Sequence, residues 1–426
     1  MSIASRDQRV IWHPYTQMRT AAKPIGIVRG DGLYLFDEDG KRYLDMISSW
    51  WVNIHGHAHP HIAQQVAEQL QTLEHVIFAG FTHQGAVSLA ERLLAILPAN
   101  QKRIFYTDNG STAVEVALKM ALQYWHNKGE ERHKILAFNH GYHGDTFGAM
   151  AVSGRGVFTS PFFPFLFHVD FIEPPLPGNE EESISQLYDH IERGDPIAAF
   201  IFEPMVQGTG GMLMQNAKAL DKMIDIAQKN NIITIADEVM TGFGRTGKMF
   251  ATDYLEHKTD IMCLSKGLTG GTMPLGVTSC SEDVYKAFLS DDRTKALFHG
   301  HSYTANPLAC AAALASLDIL QTEECFYRIL EISKMHEAFL EEIVGHVSVQ
   351  AVRVLGTILA IEIKTSDKSS YFNNMRDYIY NFFIDRGIIM RPLGNIIYLI
   401  PPYCTEKEDL QYTYAAIVEL LEEMKQ

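Results

Sequence analysis

Paired cysteine motifs are missing from this sequence. Its five cysteines form no CxxC pair, their number is odd, and most of them sit in apolar contexts. This pattern argues against a disulfide framework and a zinc site, and it predicts reduced, packed thiols in a cytoplasmic protein. The cysteines are Cys263, Cys280, Cys310, Cys325 and Cys404.

Basic residues are in short supply. The chain has 36 lysines and arginines against 51 aspartates and glutamates, a net charge of −15. This balance argues against nucleic-acid binding as the main activity, because neutralising phosphates requires a basic surface. It remains compatible with a local basic pocket for a small anion.

Long apolar runs are also lacking. The nearest is 307–315, PLACAAALA, which is too short for a membrane span and rich in small residues. The first residues, MSIASRDQRVIWHPYTQM, lack the apolar core of a signal peptide. We therefore expect a cytoplasmic protein with no membrane partner.

What the sequence does contain is an alternation of short apolar strands and amphipathic helices from about residue 100 onward. Such alternation is typical of an α/β fold with a mostly parallel sheet covered on both faces. We expect a large domain at 61–322, with 1–60 and 323–426 together forming a smaller α+β domain. Within the small domain, 41–51 (KRYLDMISSWW) and 353–363 (RVLGTILAIEI) are each predicted to be a strand.

Two of the buried strands end in chemically distinctive residues. Asp237 closes IITIAD, and Lys266 follows IMCLS. A lysine that forms a Schiff base and a carboxylate that pairs with a pyridine nitrogen are what a pyridoxal-phosphate enzyme requires. An ordinary α/β protein can carry a similar partly buried pair, so these two residues alone leave both interpretations open.

Glycine-rich turns follow other strands. Gly110 and Ser111 stand where a helix N-terminus could bind a phosphate, although the same residues suit a plain helix cap. Tyr142, between Gly141 and Gly144, could lie flat on a cofactor ring or pack on the core.

The segment after Asp237 offers two more candidates. Val239 could cover a cofactor ring on the face opposite Tyr142, and Arg245, in a glycine-rich loop, could bind an acid group. The histidines of 55–61, HGHAHPH, alternate as metal ligands on a strand would. Pro60 and the lack of a carboxylate or cysteine partner argue against that, so no metal is expected.

Taken together, five motifs resemble the class III aminotransferases of the fold type I pyridoxal-phosphate family, in family order and over nearly the whole chain. The resemblance implies pyridoxal 5'-phosphate as cofactor, Lys266 as its Schiff-base lysine and Asp237 as the pyridine partner. It implies Tyr142 as the stacking ring. The motifs are DNGSTAVEVALK, GYHGDTFGAM, ADEVMTGFGRTG, LSKGLTGG and HGHSYTANPLA.

The same resemblance implies a homodimer with shared active sites. Gly110 and Ser111 would bind the phosphate, joined by a hydroxyl from the neighbouring subunit. Ser302 matches the position of that hydroxyl better than Thr304 does, although the family usually has threonine there.

Three further segments are similar to the branch of this family that aminates 8-amino-7-oxononanoate in biotin biosynthesis. They are HPYTQM, SSWW and RPLGNIIYLIPPY. The similarity implies that Arg391 grips the substrate carboxylate and that Tyr15 and either Trp50 or Trp51 sheath its apolar chain. Substrate contacts are also implied for Asp145, Arg245 and Gly300.

The amino donor is left open. S-adenosylmethionine is the usual donor in that branch and the SSWW pair favours it, but some members use lysine. Another class III enzyme, acting on ornithine, 4-aminobutyrate or another ω-amine, would keep every cofactor residue.

Overall fold

The computed structural model describes residues 1–365 and 375–425. The strands are β1 Ile27–Asp31, β2 Tyr34–Asp37, β3 Arg42–Asp45, β4 Gln101–Thr107, β5 Lys134–Phe138, β6 Asp170–Ile172, β7 Ile197–Phe202, β8 Val206–Gln207, β9 Leu213–Met214, β10 Ile233–Asp237, β11 Ile261–Leu264, β12 Gly276–Ser281, β13 Val349–Leu355, β14 Ile358–Ile363, β15 Ile388–Ile389 and β16 Ile396–Leu399. The helices are α1 Ile3–Asp7, α2 Pro60–Thr72, α3 Gln84–Ile96, α4 Gly110–Lys128, α5 Phe147–Val152, α6 Glu180–Glu192, α7 Ala217–Lys229, α8 Glu282–Lys286, α9 Pro307–Leu320, α10 Glu323–Ile343, α11 Met375–Asp385 and α12 Lys407–Glu423.

The largest sheet has seven strands in the order β4-β12-β11-β10-β7-β5-β6. All neighbours pair in parallel except at β12, which is antiparallel to both β4 and β11. This confirms the expected α/β class with a mostly parallel sheet. Because parallel strands end at one edge of a sheet, the residues that follow β5, β7, β10 and β11 are brought together.

Alternating residues of β7 explain why its sequence is a continuous apolar run. Phe200 and Phe202 pack in a core that includes Leu220 of α7. Ala199 and Ile201 point to the other face and pack in a second core with α4. Both faces of the sheet are therefore covered by helices, as parallel sheets require.

Two smaller sheets are built from the ends of the chain. One has the order β1-β2-β3-β15 and so joins strands from the first and last hundred residues; the other is β13-β14-β16. This arrangement agrees with a small domain made from both ends, although the exact limits 1–60, 61–322 and 323–426 stay predictions.

Two predicted strands need correction. The segment 353–363 is a hairpin of β13 and β14, because Gly356, at a φ of +60°, turns the chain between them. The segment 41–51 remains a strand only to Asp45, and SSWW forms a turn. A helix is predicted near 371–386; residues 371–374 lie outside the described ones, and α11 covers Met375–Asp385. None of the helices in the described ranges has the length and apolar character of a membrane span.

Candidate active site

A cavity of about 590 Å³ opens at the carboxyl edge of the large sheet. Asp237 reaches it from the end of β10 and Lys266 from the turn after β11. Eleven of the fourteen predicted site residues line it: Tyr15, Trp50, Trp51, Gly110, Ser111, Tyr142, Asp145, Asp237, Val239, Lys266 and Arg391. The strands thus gather residues from across the sequence into one place.

Lys266 begins a short 3₁₀ turn, at a φ of +45°. Its Nζ lies 4.8 Å from the ring centroid of Trp51. Burial lowers the pKa of Lys266, although the negative charges of Asp237 and Glu203 oppose that shift. A lysine of this kind is more often neutral than one in water, and therefore more nucleophilic.

Asp237 is buried and held by two contacts. Its Oδ2 lies 2.7 Å from Nδ1 of His143, and its Oδ1 accepts the Val239 backbone N–H at 3.1 Å. The ring of His143 is buried as well. A carboxylate fixed in this way is suited to pair with a protonated ring nitrogen. The His143 contact could not be predicted from the sequence, because the two residues are 94 positions apart.

Tyr142, Tyr15 and Asp145 form one hydrogen-bonded group. The Tyr15 hydroxyl donates to Asp145 Oδ2, and it lies 3.2 Å from the Tyr142 hydroxyl. Burial is the main cause of a raised Tyr142 pKa, and the Tyr15 hydrogen bond adds to it. Tyr142 is therefore a neutral phenol at physiological pH, suited to lie against an aromatic cofactor.

Glu203 is a further buried acid of the cavity. Its two oxygens accept the backbone N–H groups of Tyr142 and Gly208, each at 2.9 Å. Burial raises the pKa of Glu203 to about 7. Its carboxylate therefore anchors the backbone that carries Tyr142.

The N-terminus of α4 forms another wall of the cavity. Asn109 caps the helix by accepting the Thr112 N–H at 3.0 Å, so the capping residue is Asn109 and not Gly110 or Ser111. Gly110 is packed so closely that a Cβ there would lie 2.6 Å from Val239 Cγ1. A helix N-terminus with free N–H groups next to a side-chain-free position suits a phosphate.

These features fit pyridoxal phosphate. The cavity offers an anion site at Gly110 and Ser111, a buried carboxylate at Asp237, and a buried lysine of lowered pKa. Each matches one functional group of the cofactor: the phosphate, the ring nitrogen and the aldehyde. Gly110, Ser111, Tyr142, Asp237, Val239 and Lys266 remain the residues expected to hold it.

The SSWW segment forms a left-handed turn. Ser48, Ser49, Trp50 and Trp51 have φ values of 49°, 49°, 95° and 72°. The left-handed conformation costs non-glycine residues roughly 1–2 kcal/mol each and is rarely adopted by several in succession. The pattern of 41–51 predicted a strand that continues through SSWW. The structure instead forms a strained left-handed turn there.

This turn aims both tryptophans into the cavity. The guanidinium carbon of Arg391 lies 4.7 Å from the centroid of the Trp50 ring. Tyr15 meets Trp50 edge-on at 5.6 Å, and the Trp51 indole N–H donates to the Tyr398 hydroxyl at 3.1 Å. The result is an aromatic wall in which Arg391 lies next to Trp50 and Lys266 lies next to Trp51.

Arg245 does not line the cavity, and it is almost completely buried. Its guanidinium donates to the backbone carbonyls of Pro401 at 2.8 Å and Trp51 at 3.3 Å. These bonds join the SSWW turn to the chain near β16, so Arg245 supports the wall. Its predicted contact with a substrate acid group stays a prediction.

Gly300 and Ser302 are exposed and do not line this chain's cavity. The prediction for Ser302 concerned a second subunit, so it stays a prediction, and so does substrate contact by Gly300. The histidines of 55–61 have separate partners: His55 contacts Ser316, His57 contacts Asp45 and His61 contacts Asp318.

Comparison with known proteins agrees with this geometry. The class III aminotransferase family matches residues 15–421. A protein of Synechococcus elongatus named adenosylmethionine-8-amino-7-oxononanoate aminotransferase is 47% identical, over 97% of this chain and 99% of its own length.

Two solved structures extend the match. The enzyme of that same name from Methanocaldococcus jannaschii has a TM-score of 0.93 and 36% identity, covering 99% of this chain and 98% of its own. An amine transaminase from an uncultivated Pseudomonas species, in a pyridoxal-phosphate-bound form, has a TM-score of 0.89 and 32% identity, covering 96% and 97%. The chain therefore belongs to the class III aminotransferases and is a pyridoxal-phosphate-dependent transaminase.

Proposed function

We propose that this enzyme transfers an amino group to 8-amino-7-oxononanoate, producing 7,8-diaminononanoate for biotin biosynthesis, with S-adenosylmethionine as the donor. The names of its relatives support this reaction. The observation that carries it is the stacking of Arg391 on Trp50 in the cavity of Lys266. An arginine at the end of an apolar wall matches a substrate that has a long apolar chain and a terminal carboxylate.

The chemistry divides among named residues. Pyridoxal phosphate, when bound, supplies an electron sink that weakens a C–H bond next to the amine of the substrate. Asp237 would hold a proton on the ring nitrogen, and Tyr142 and Val239 would keep the ring in place. Lys266 Nζ would act as general base and acid, taking a proton from the substrate carbon and delivering it to the cofactor.

The ends of the substrate are assigned to different groups. Arg391 binds the carboxylate, while Trp50 and Trp51 exclude water from the chain between that carboxylate and the reacting ketone. Tyr15 and Asp145 bind the amino end. The Tyr15 hydroxyl donates to the Asp145 carboxylate and holds it in place, so that its negative charge lies opposite an ammonium group. Lysine is the alternative donor, because nothing among these contacts selects a sulfonium over a second ammonium.

We infer a homodimer with shared sites as part of this proposal. Ser302 is exposed, whereas the Thr304 hydroxyl is bonded within its own loop, to the N–H and C=O of His301 at 3.1 and 2.8 Å. Ser302 is therefore better suited to reach the phosphate of a second copy. Phe298 and Tyr303, on the same loop, are 70% and 65% exposed, and a partner would bury them.

A cytoplasmic location belongs to the proposal as well. All five cysteines are free thiols, and four of them are buried. Unpaired, packed thiols are usual in reducing compartments.

The experiment follows nitrogen from donor to product. The enzyme is mixed with 8-amino-7-oxononanoate and S-adenosylmethionine labelled with ¹⁵N in its amino group, and 7,8-diaminononanoate is measured by mass spectrometry. We expect one labelled nitrogen in the product. Lysine and 4-aminobutyrate are tested in parallel. Absence of the diamine with every donor, with turnover of another ω-amine, would favour a different class III activity.

A further inference from the structure

The left-handed turn Ser48–Trp51 needs a reason to persist. Non-glycine residues keep such a conformation only where surrounding contacts determine it. The turn places the Trp51 ring 4.8 Å from Lys266 Nζ and the Trp50 ring 4.7 Å from the Arg391 guanidinium carbon. Whatever holds the turn therefore controls both ends of the aromatic wall.

Asp45 makes the contacts at the middle of the turn. Its Oδ1 accepts the backbone N–H of Ser49 at 2.9 Å, and its Oδ2 accepts the Ser49 hydroxyl at 2.6 Å. The Asp45 side chain is completely buried. The carboxylate thus binds one residue through two donors, which fixes its left-handed backbone.

The same carboxylate also holds the chain that leaves the turn. His57 Nε2 lies 2.8 Å from Asp45 Oδ2, and the amide of Asn53 donates to His57 Nδ1 at 2.9 Å. Residues on both sides of the two tryptophans are therefore tied to Asp45. Its position at the end of β3 gives this network a rigid base.

The ends of the turn are anchored elsewhere. The Ser48 hydroxyl donates to the carbonyl of Ile400 at 2.8 Å, and the Trp51 indole donates to the Tyr398 hydroxyl at 3.1 Å. These contacts fix where the turn sits against β16. They do not reach Ser49, whose conformation decides in which direction the following ring points.

We propose that Asp45 is a positioning residue for transamination: by holding Ser49 in the left-handed region it aims Trp50 and Trp51 at the substrate. Asp45 does not itself line the cavity. The inference rests on the proposed function for its substrate, since it takes the Trp50–Arg391 end as the carboxylate site. The part that concerns Trp51 and Lys266 applies to any amine substrate.

The test compares Asp45→Asn with Asp37→Asn in the holoenzyme. Asparagine keeps the size of aspartate but offers one acceptor atom in place of two. Asp37 is a matched control in the same sheet: its Oδ1 accepts the N–H groups of Asp39 and Lys41, and its Oδ2 accepts the Tyr43 hydroxyl. Asp37 also holds a turn, but that turn sends no residue into the cavity.

We expect Asp45→Asn to lower kcat/KM roughly ten- to a hundredfold, the size of effect that an ångström-scale misplacement in an active site produces. The visible band of the lysine-bound cofactor should remain. Asp37→Asn should keep the wild-type kcat/KM even if its melting temperature falls by as much as that of Asp45→Asn. Equal kinetics in the two variants at comparable melting temperatures would overturn the inference.

Two safeguards keep the result interpretable. If Asp45→Asn does not fold, Ser49→Ala removes the hydroxyl bond and retains the Asp45–His57 contact; a smaller loss of kcat/KM supports the inference, and a wild-type value contradicts it. Rates are measured separately for donor and acceptor. If the wild-type enzyme does not convert 8-amino-7-oxononanoate, the proposed function is refuted. Asp45→Asn and Asp37→Asn can still be compared in the donor half-reaction, which tests the inference separately.

Discussion

Nδ1 of His143 lies 2.7 Å from Oδ2 of Asp237, and both buried side chains line the cavity. The imidazole thereby fixes the orientation of the carboxylate at the cavity wall. A negative charge held without motion in a water-poor site stabilises a protonated ring nitrogen more strongly than a mobile one.

Replacing Asp237 by asparagine tests that charge. We expect Asp237→Asn to keep the visible band of the lysine-bound cofactor but to lose about 10²–10³-fold in kcat, the range found when one preorganised electrostatic group is removed. Steady-state kinetics and absorption spectra measure the two effects. Asp225→Asn, on the outer side of α7, is the control. Full activity in Asp237→Asn would remove the assigned role.

The buried carboxyl of Glu203 makes stability depend on pH. Its folded pKa of about 7 exceeds its ordinary value of 4.5, so the folded protein keeps a proton that the unfolded chain loses. The resulting stability is present below pH 4.5 and is lost as the pH rises towards 7. Glu203→Gln abolishes this dependence.

The free energy of unfolding of Glu203→Gln, relative to wild type, should therefore rise by up to roughly 3 kcal/mol as the pH rises through that window. Urea titrations on both sides of the window measure it, and Glu182→Gln, exposed on α6, should have no such slope. A pH-independent difference between Glu203→Gln and wild type would contradict the assignment.

Arg391 is predicted to recognise the substrate carboxylate. Arg391→Ala should raise KM for 8-amino-7-oxononanoate about 10- to 100-fold, because a charged hydrogen bond contributes about 1.5–3 kcal/mol. Arg386→Ala is the matched control, since that guanidinium contacts Glu419 on the surface. An analogue with a methyl group in place of the carboxylate should be used equally well by wild type and Arg391→Ala; unequal use would mean that Arg391 acts in another way.

Mixed dimers test whether the sites are shared. Lys266→Ala and Ser302→Trp should each be inactive alone, the first through loss of the Schiff-base lysine and the second through obstruction of the partner's phosphate site. After unfolding and refolding together, a mixed dimer has one site with neither substitution, so activity should return. If Ser302 served its own chain, mixing would restore nothing.

Much of this site could be predicted because its chemistry is local in sequence. The apolar runs before Asp237 and Lys266 become β10 and β11, whose parallel pairing brings their ends to one edge. Gly110 and Tyr142 follow β4 and β5 of the same sheet. Residue type and strand order therefore predicted which residues meet at this edge, whereas their assignment to a cofactor came from the resemblance to the aminotransferase family.

The remainder depends on contacts between distant segments. The Trp50–Arg391 stack, the carbonyls that bind Arg245 and the two donors from Ser49 to Asp45 are visible only once the chain is folded. The carbonyl partners of Arg245 could not be predicted, because a glycine-rich loop does not tell which way its arginine points. The SSWW turn was missed because four left-handed residues in succession contradict ordinary backbone preference.

The central claim is that 8-amino-7-oxononanoate is the amino acceptor, and one half-reaction tests it most directly. Enzyme carrying the amino group on its cofactor, freed of donor, is mixed with this ketone in a stopped-flow spectrometer. We predict that the absorption of the lysine-bound cofactor returns in a single turnover, with 7,8-diaminononanoate formed in equal amount to the enzyme. An unchanged spectrum with this ketone, together with rapid return on adding another ω-keto compound, would contradict the account.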